Sequence, residues 1–328
     1  MTDERREAGG AVFEEIRAAC ARVAGAAERV HIERDKLDAY ARSLPVDKLH
    51  SPVIEPEHHY LGHGEQTVAY VLALDSINFG SGYFPELEPR NGLVGYFMVA
   101  HALGDFFEAN APVSAGDLIA LTPEDCAEIF GQNLSNEAVA ELMGLFSQAL
   151  EDLGRFVLAD FGGRFASVVE AAGGRASALV DIVSKMPLFR DVADYHDTTV
   201  PFYKRAQILA ADLWLAFDGE GPGAFSDLDG LTLFADNLVP HVLRLDGLLR
   251  YDETLAERID RGDRLEANSP EEVEIRACGV HVVELLVERL TALGRAVTAF
   301  ELDNYLWHLG QDPRFETKPR HHTRTVYY

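Results

Sequence analysis

The stretch LTLFADNLVPHVLRLDGLL, residues 231–249, constrains the fold most tightly, because Pro240 lies inside a helical pattern. Leu238, Val242, Leu245 and Leu249 repeat at i, i+4, i+7 and i+11, the spacing of one buried helix face. Proline has no backbone N–H and its ring clashes with the preceding turn, so it fits only the first turn of that helix. Asp236 therefore falls at or just before the N-cap. An Asp there accepts first-turn N–H groups, an arrangement worth about 0.5–2 kcal/mol. The same N–H groups and the helix dipole favour its ionised form. Asp236 is thus either a structural cap only or, in addition, a carboxylate at a dry pocket edge that stabilises developing positive charge or orients water.

Other helix signals recur along the chain. Thr122-Pro123-Glu124-Asp125 offers an N-cap, proline at the first helical position and an acid at the third, and Ser269-Pro270-Glu271-Glu272 repeats that grammar. Behind the second, Val273, Ala277, Val280, Val283 and Val287 predict one buried stripe. Residues 11–30, 135–153 and 291–309 also read as helices, and 59–79 begins mixed and ends in an apolar run. Residues 218–230, DGEGPGAFSDLDG, read as a loop. The segment FGSGYFPELEPRNGLVGYFMV turns over on Gly, Pro and Asn, and its tail, Leu93 to Val99, has the β-branched and aromatic content of a strand. The expectation is a mainly α fold with a small β hairpin or sheet near residues 80–100. We expect one globular unit over 1–328, with a helical N-terminal part over 1–155 and a second helical part over 156–328.

Charge narrows the function classes. Lys and Arg number 29 against 54 Asp and Glu, a formal net charge of −25. A field of that sign repels polyphosphate, so no polymeric nucleic-acid partner is expected, although a small anion still suits a locally basic pocket. No 18-residue apolar run is present, so no membrane span is expected. The start, MTDERREAGG, is charged and lacks an apolar h-region, so it reads as no signal peptide. Cys20, Cys126 and Cys278 are far apart, form no metal spacing and suit a reducing cytoplasm. His58, His59 and His63 lack a matching ligand cluster, and neither a metal nor another cofactor is expected.

Three further constellations carry polar chemistry. In FYKRAQILAADLW, residues 202–214, Lys204, Ile208 and Asp212 share a helix face, and Lys204 and Arg205 lie near the helix start, where free N–H groups favour an anion. The alternative is an amphipathic helix with a solvated Lys-Arg pair. In VLALDSINFGSGYF, Asp75 and Asn78 end an apolar run and Phe79 follows. A carboxylate, an amide and an aromatic ring suit a flat heterocycle, and polar capping of a helix end explains them equally. The end, KPRHHTRTVYY, collects Arg320, His321, His322 and Arg324 in an acidic chain and closes on Val-Tyr-Tyr, which suits a docked terminus.

The motifs LDSINFGSGYF, GYF at Gly95 to Phe97, PLFRD (Pro187 to Asp191), FYKRAQILAADLW, LTLFADNLVPHVL, EEVEIRACGVHVVELL and HHTRTVYY, in that order, resemble the queuosine salvage proteins. That resemblance implies hydrolysis of the N-glycosidic bond of queuosine 5′-monophosphate to release queuine, a tRNA-modification base. It also implies kinship with helix-hairpin-helix DNA glycosylases, in which a lysine opens one helix and an aspartate caps a later one. Lys204 and Asp236 match those places, so Asp236 takes the catalytic role and Lys204 a place at the pocket wall. The implied substrate contacts are Asp75 and Asn78 at the base edge, Phe79 stacking, His101 on the same wall and Asp212 beside Lys204 or the ribose. The phosphate would lie by Lys204 or Arg205, with Arg324 helping. The chain departs from the family at Asn237-Leu238, where Tyr-Arg is common. The rival readings are a DNA or RNA base glycosylase of the same fold, a non-enzymatic nucleotide-binding protein and a helical interaction protein.

Overall fold

The structure, a computed structural model, describes residues 10–328. All of the charged start except Gly10 lies outside the described residues. The fold is mainly helical, with two small two-stranded antiparallel sheets. The residues group into two compact units. The first takes the chain up to Val53, Asp191–Lys204 and Asp227–Arg324; the second takes Ile54–Arg190, Arg205–Ser226 and Thr325–Tyr328. The helix Lys204–Ala216 begins with the last residue of one group and continues in the other.

The spine of the first unit is the helix Pro270–Ala292, capped by Ser269, whose side chain accepts from the Glu272 N–H. The sequence predicts a single stripe, but burial runs around the first half of this helix. Glu272, Glu274 and Arg276 are buried along with Val273, Ala277, Val280 and Val283, while Val287 is half-buried. Glu274 is satisfied by the N–H groups of Glu28, Arg29 and Val30 and by the Tyr195 hydroxyl. Buried charge is tolerated when each lone pair finds such a donor. The helix Ala11–Ala26 packs on the spine through Phe13, Ile16, Ala19, Cys20 and Val23.

Strand Val30–Ile32 pairs with Leu249–Tyr251, setting Val30 opposite Tyr251. Strand Val192–Tyr195 folds back on Thr198–Pro201, with His196 in the left-handed region at the turn. The helices Leu238–Leu245 and Ala299–Leu309 pack against the spine and against each other. The expected continuous helix over 291–309 is two helices. The spine ends at Ala292, and a new helix starts at Ala299 behind a Thr298–Glu301 capping box. Gly294, at φ +73°, supplies the break.

The second unit is built on the helix Glu137–Phe161, capped by Asn136 and ended by Gly162 in the left-handed region. The predicted cap at Thr122 forms a complete box with Asp125. The helix Ala115–Ala120 crosses at Gly154, where a Cβ would meet the Ala115 carbonyl oxygen at 2.5 Å. Only glycine permits that approach. The helix Glu65–Ile77 is buried from Thr67 to Ile77.

The hairpin expected near residues 80–100 is absent. Phe84–Glu86 is a 3-10 turn, Arg90 and Leu93 make one isolated antiparallel bridge, and Gly95 opens a helix that runs to Asn110. Aromatic and β-branched content fits any half-buried surface, and here a helix face supplies it. Met98, Val99, Ala102, Leu103 and Phe107 are the residues that face buries. The end of the chain docks as expected. Tyr328 is buried and its backbone oxygen accepts the Gly80 N–H at 3.0 Å.

Candidate active site

Asp236 lies two residues before the helix Leu238–Leu245 and one before its N-cap Asn237, where the Pro240 argument puts it. Its Oδ1 accepts the N–H groups of Leu238 at 2.9 Å and Val239 at 3.0 Å. Both bonds fall on the same oxygen. The carboxylate is only 8 % exposed. Lys204, at 6 % exposure, and Arg320 act on it as nearby positive charges. Burial nonetheless lifts the carboxyl above the ordinary carboxylate value, outweighing Lys204, the two N–H groups and Arg320. This corrects the sequence expectation. The helix start does favour the ionised form, but the desolvation that a core position imposes is larger.

A second carboxylate stands beside it. Asp303, on the helix Ala299–Leu309, is buried and accepts the Phe234 N–H at 3.1 Å through Oδ1. Burial first, and then the charge of Asp236, hold its carboxyl well above the usual range; the Phe234 N–H and Lys204 oppose them. Of two interacting acids, the one better served by cations and N–H groups ionises first. Asp236 is that acid, and the carboxyl of Asp303 is the one raised further. Sequence reading did not find Asp303, although a signal existed. Ala299, Leu302, Asp303 and Leu306 share the buried face, so an acid stands at an apolar position.

The pair Asn237-Leu238 is fitted to its surroundings. Asn237 is buried and its Nδ2 donates to the His321 carbonyl at 3.1 Å, tying the Asp236 segment to the C-terminal stretch. Leu238 fills the space over Gly310, where a Cβ would lie 2.9 Å from it. Burial holds the His321 imidazole down to about 3, so it stays neutral. Arg320, one residue earlier, is the basic residue of this tail that acts on Asp236. Arg324 is half-buried.

In the second unit the structure brings together Asp75, Asn78, Phe79, Arg205 and Asp212. Asp75 is fully buried, and its Oδ1 accepts from Asn78 Nδ2 at 3.1 Å. Phe79 is core, edge-on to Phe146 at 5.3 Å and 4.9 Å from the Arg205 guanidinium. Arg205 is buried and donates to the carbonyls of Asp75, Ser76 and Leu188. Its guanidinium therefore serves as an internal tie across the end of the helix Glu65–Ile77. The half-buried Asp212 acts with Asp75 on Tyr96, whose phenol is pushed up first by burial and then by these two charges. His101 is half-buried, 6.1 Å ring to ring from His58 and 3.9 Å from Asp105. Among the described residues no three His, Cys, Asp or Glu side chains gather as a metal would require.

A buried carboxylate set at a helix start, with a lysine, an arginine and a second carboxyl around it, is the arrangement of an acid–base or charge-stabilising centre. The family model of the queuosine salvage protein matches residues 58–328. A queuosine 5′-phosphate N-glycosylase/hydrolase of Sphaerobacter thermophilus is 39 % identical over 312 residues, covering 94 % of this chain and 95 % of that protein. Proteins of the same name from Dictyostelium discoideum, 33 % identical over 90 % of this chain and 89 % of theirs, and from Mus musculus, 32 % identical over 81 % and 83 %, also match. The chain belongs to the queuosine salvage protein family.

Proposed function

We propose that this protein hydrolyses the N-glycosidic bond of queuosine 5′-monophosphate and releases queuine, with Asp236 as the carboxylate at the reacting carbon. The observation that carries the mechanism is the buried Asp236 carboxylate, held through Oδ1 by the Leu238 and Val239 N–H groups, with Lys204 and Arg320 as nearby positive charges. Family membership and the activity in the relatives' names supply the substrate class.

Cleavage of a ribosyl C–N bond builds positive charge on the anomeric carbon, as in other glycoside hydrolyses. An ionised Asp236, held by two backbone N–H groups, stabilises that charge and steers a water to the carbon. Removing a preorganised charge of this kind costs about 10²–10³ in rate. The raised carboxyl of Asp303 resists placing a second negative charge beside Asp236. Lys204 and Arg320 supply the positive charge that a 5′-phosphate requires. No helix among the described residues is long and apolar enough to cross a membrane. The three free, buried thiols suit the cytoplasm, where a nucleotide derived from tRNA would be met.

The test is direct. The purified protein, given queuosine 5′-monophosphate, releases queuine and ribose 5-phosphate, seen by chromatography. Absence of base release from that nucleotide overturns the reading. The rival polymer-acting glycosylase would instead bind RNA or DNA in a low-salt gel shift, against the net charge of −25.

A further inference from the structure

Two sequence motifs, PLFRD and EEVEIRACGV, have no role in the chemistry described so far. Asp191 of the former and Arg276 of the latter meet inside the first unit. Arg276 is fully buried and holds Asp191 through a two-pronged pair, Nη1 to Oδ1 at 3.0 Å and Nη2 to Oδ2 at 2.6 Å. The same guanidinium donates Nε–H to the carbonyl of Ala235 at 2.9 Å, one residue before Asp236. Its face lies 4.0 Å from the Phe202 ring, and Glu272 is 3.6 Å away.

Asp191 in turn organises the approach to Lys204. Its carboxylate Oδ2 accepts the Lys204 N–H at 3.1 Å, and its backbone carbonyl accepts the N–H groups of Phe202 at 3.0 Å and Tyr203 at 3.1 Å. Tyr203, immediately before Lys204, sits at φ +46°. A bulky residue in the left-handed region is strained and persists only where its surroundings overdetermine it. Three consecutive N–H groups gathered on one aspartate do that.

We infer that Arg276 and Asp191 form a positioning clamp that fixes the backbone of Lys204 relative to that of Asp236. One edge of the rigid guanidinium grips the Asp236 segment and the other grips the aspartate that seats Lys204. A buried ion pair is weak support for stability, since apolar residues of equal volume often do as well. A planar fork that sets the spacing of two site residues gives this pair a use that its desolvation cost does not explain. Lysine, a point charge, cannot span both contacts. The clamp rests on the reading of Asp236 as the catalytic carboxylate.

The experiment is a cycle of Arg276→Lys, Asp236→Asn and the double variant, with kcat and KM measured on queuosine 5′-monophosphate and folding checked by thermal melting. We expect folded Arg276→Lys to lose about 10²-fold in kcat, the effect of an ångström-scale misplacement, while KM changes little. The double variant should keep the residual rate of Asp236→Asn, because residues that act as a unit are not additive. If Arg276→Lys does not fold, Asp191→Asn, which keeps shape and loses the charge, takes its place with the same expectation. A folded Arg276→Lys or Asp191→Asn with wild-type kcat overturns the clamp alone. So does a rate loss of the same size on the Asp236→Asn background, which a merely structural role would give. Wild-type turnover in Asp236→Asn overturns the catalytic reading, and the clamp with it.

Discussion

Asp75 and Asp236 look alike in sequence: each is an acid beside a long apolar run, and each is buried in the fold. Their surroundings separate them. Asp75 accepts from Asn78 through one oxygen, and Arg205 is bound to the carbonyls beside it. Asp236 caps a helix with one oxygen and has Lys204, Arg320 and Asp303 around it. Burial of an acid is therefore common to a strut and a site. What distinguishes the site is charge of both signs converging on the carboxylate.

Arg205→Met breaks the comparison at its structural end and carries the largest expected effect. It strands the carbonyls of Asp75, Ser76 and Leu188, at about 1–3 kcal/mol for each buried group left unpaired. Thermal melting should fall well below wild type. An unchanged melt would mean that Arg205 is not the tie described, and would return it to the candidate phosphate contacts.

Lys204→Ala sharpens the site end. Loss of a charge-assisted contact should weaken the nucleotide roughly tenfold and the free base less, measured by calorimetry. Equal weakening of both removes Lys204 from the phosphate. The same variant tests the electrostatics. The carboxyl of Asp236 is raised by burial and held back by Lys204. kcat should therefore fall toward acid pH through a limb above the ordinary carboxylate value, and Lys204→Ala should move that limb to higher pH.

The smallest effect belongs to Asp303. A carboxyl whose folded value lies above its unfolded value stabilises the fold fully below the unfolded value and loses that contribution as pH rises through the folded one. Asp303→Asn keeps an acceptor for Phe234 and removes the titration. Relative to wild type it should gain stability as pH rises, by at most about 1.4 kcal/mol per pH unit for one proton. Parallel stability curves for the two proteins would show that the Asp303 carboxyl is not raised by folding.

How much of this was legible in the sequence follows from the range of the interactions. The caps at Thr122 and Ser269 and the place of Asp236 were legible because a cap, a proline and the acid that serves them lie within four residues. The strand expected at Leu93–Val99 failed because its apolar content fits a helix face equally well. Only packing chose between them. Asp303 lies 67 residues from Asp236, and no local pattern brings the two together. Arg276 was hidden because the spine helix shows one apolar stripe while the fold buries its first half all round. Lys204 and Arg205 read as a matched pair of anion binders, yet the first acts on a carboxylate and the second is bound to peptide carbonyls.

The most direct measurement compares Asp236→Asn with Asp75→Asn, assaying queuine release from queuosine 5′-monophosphate alongside the melt of each. The account predicts that Asp236→Asn folds as wild type and loses about 10²–10³ in kcat, while Asp75→Asn loses stability and keeps its turnover when folded. Near-wild-type turnover in Asp236→Asn would contradict it.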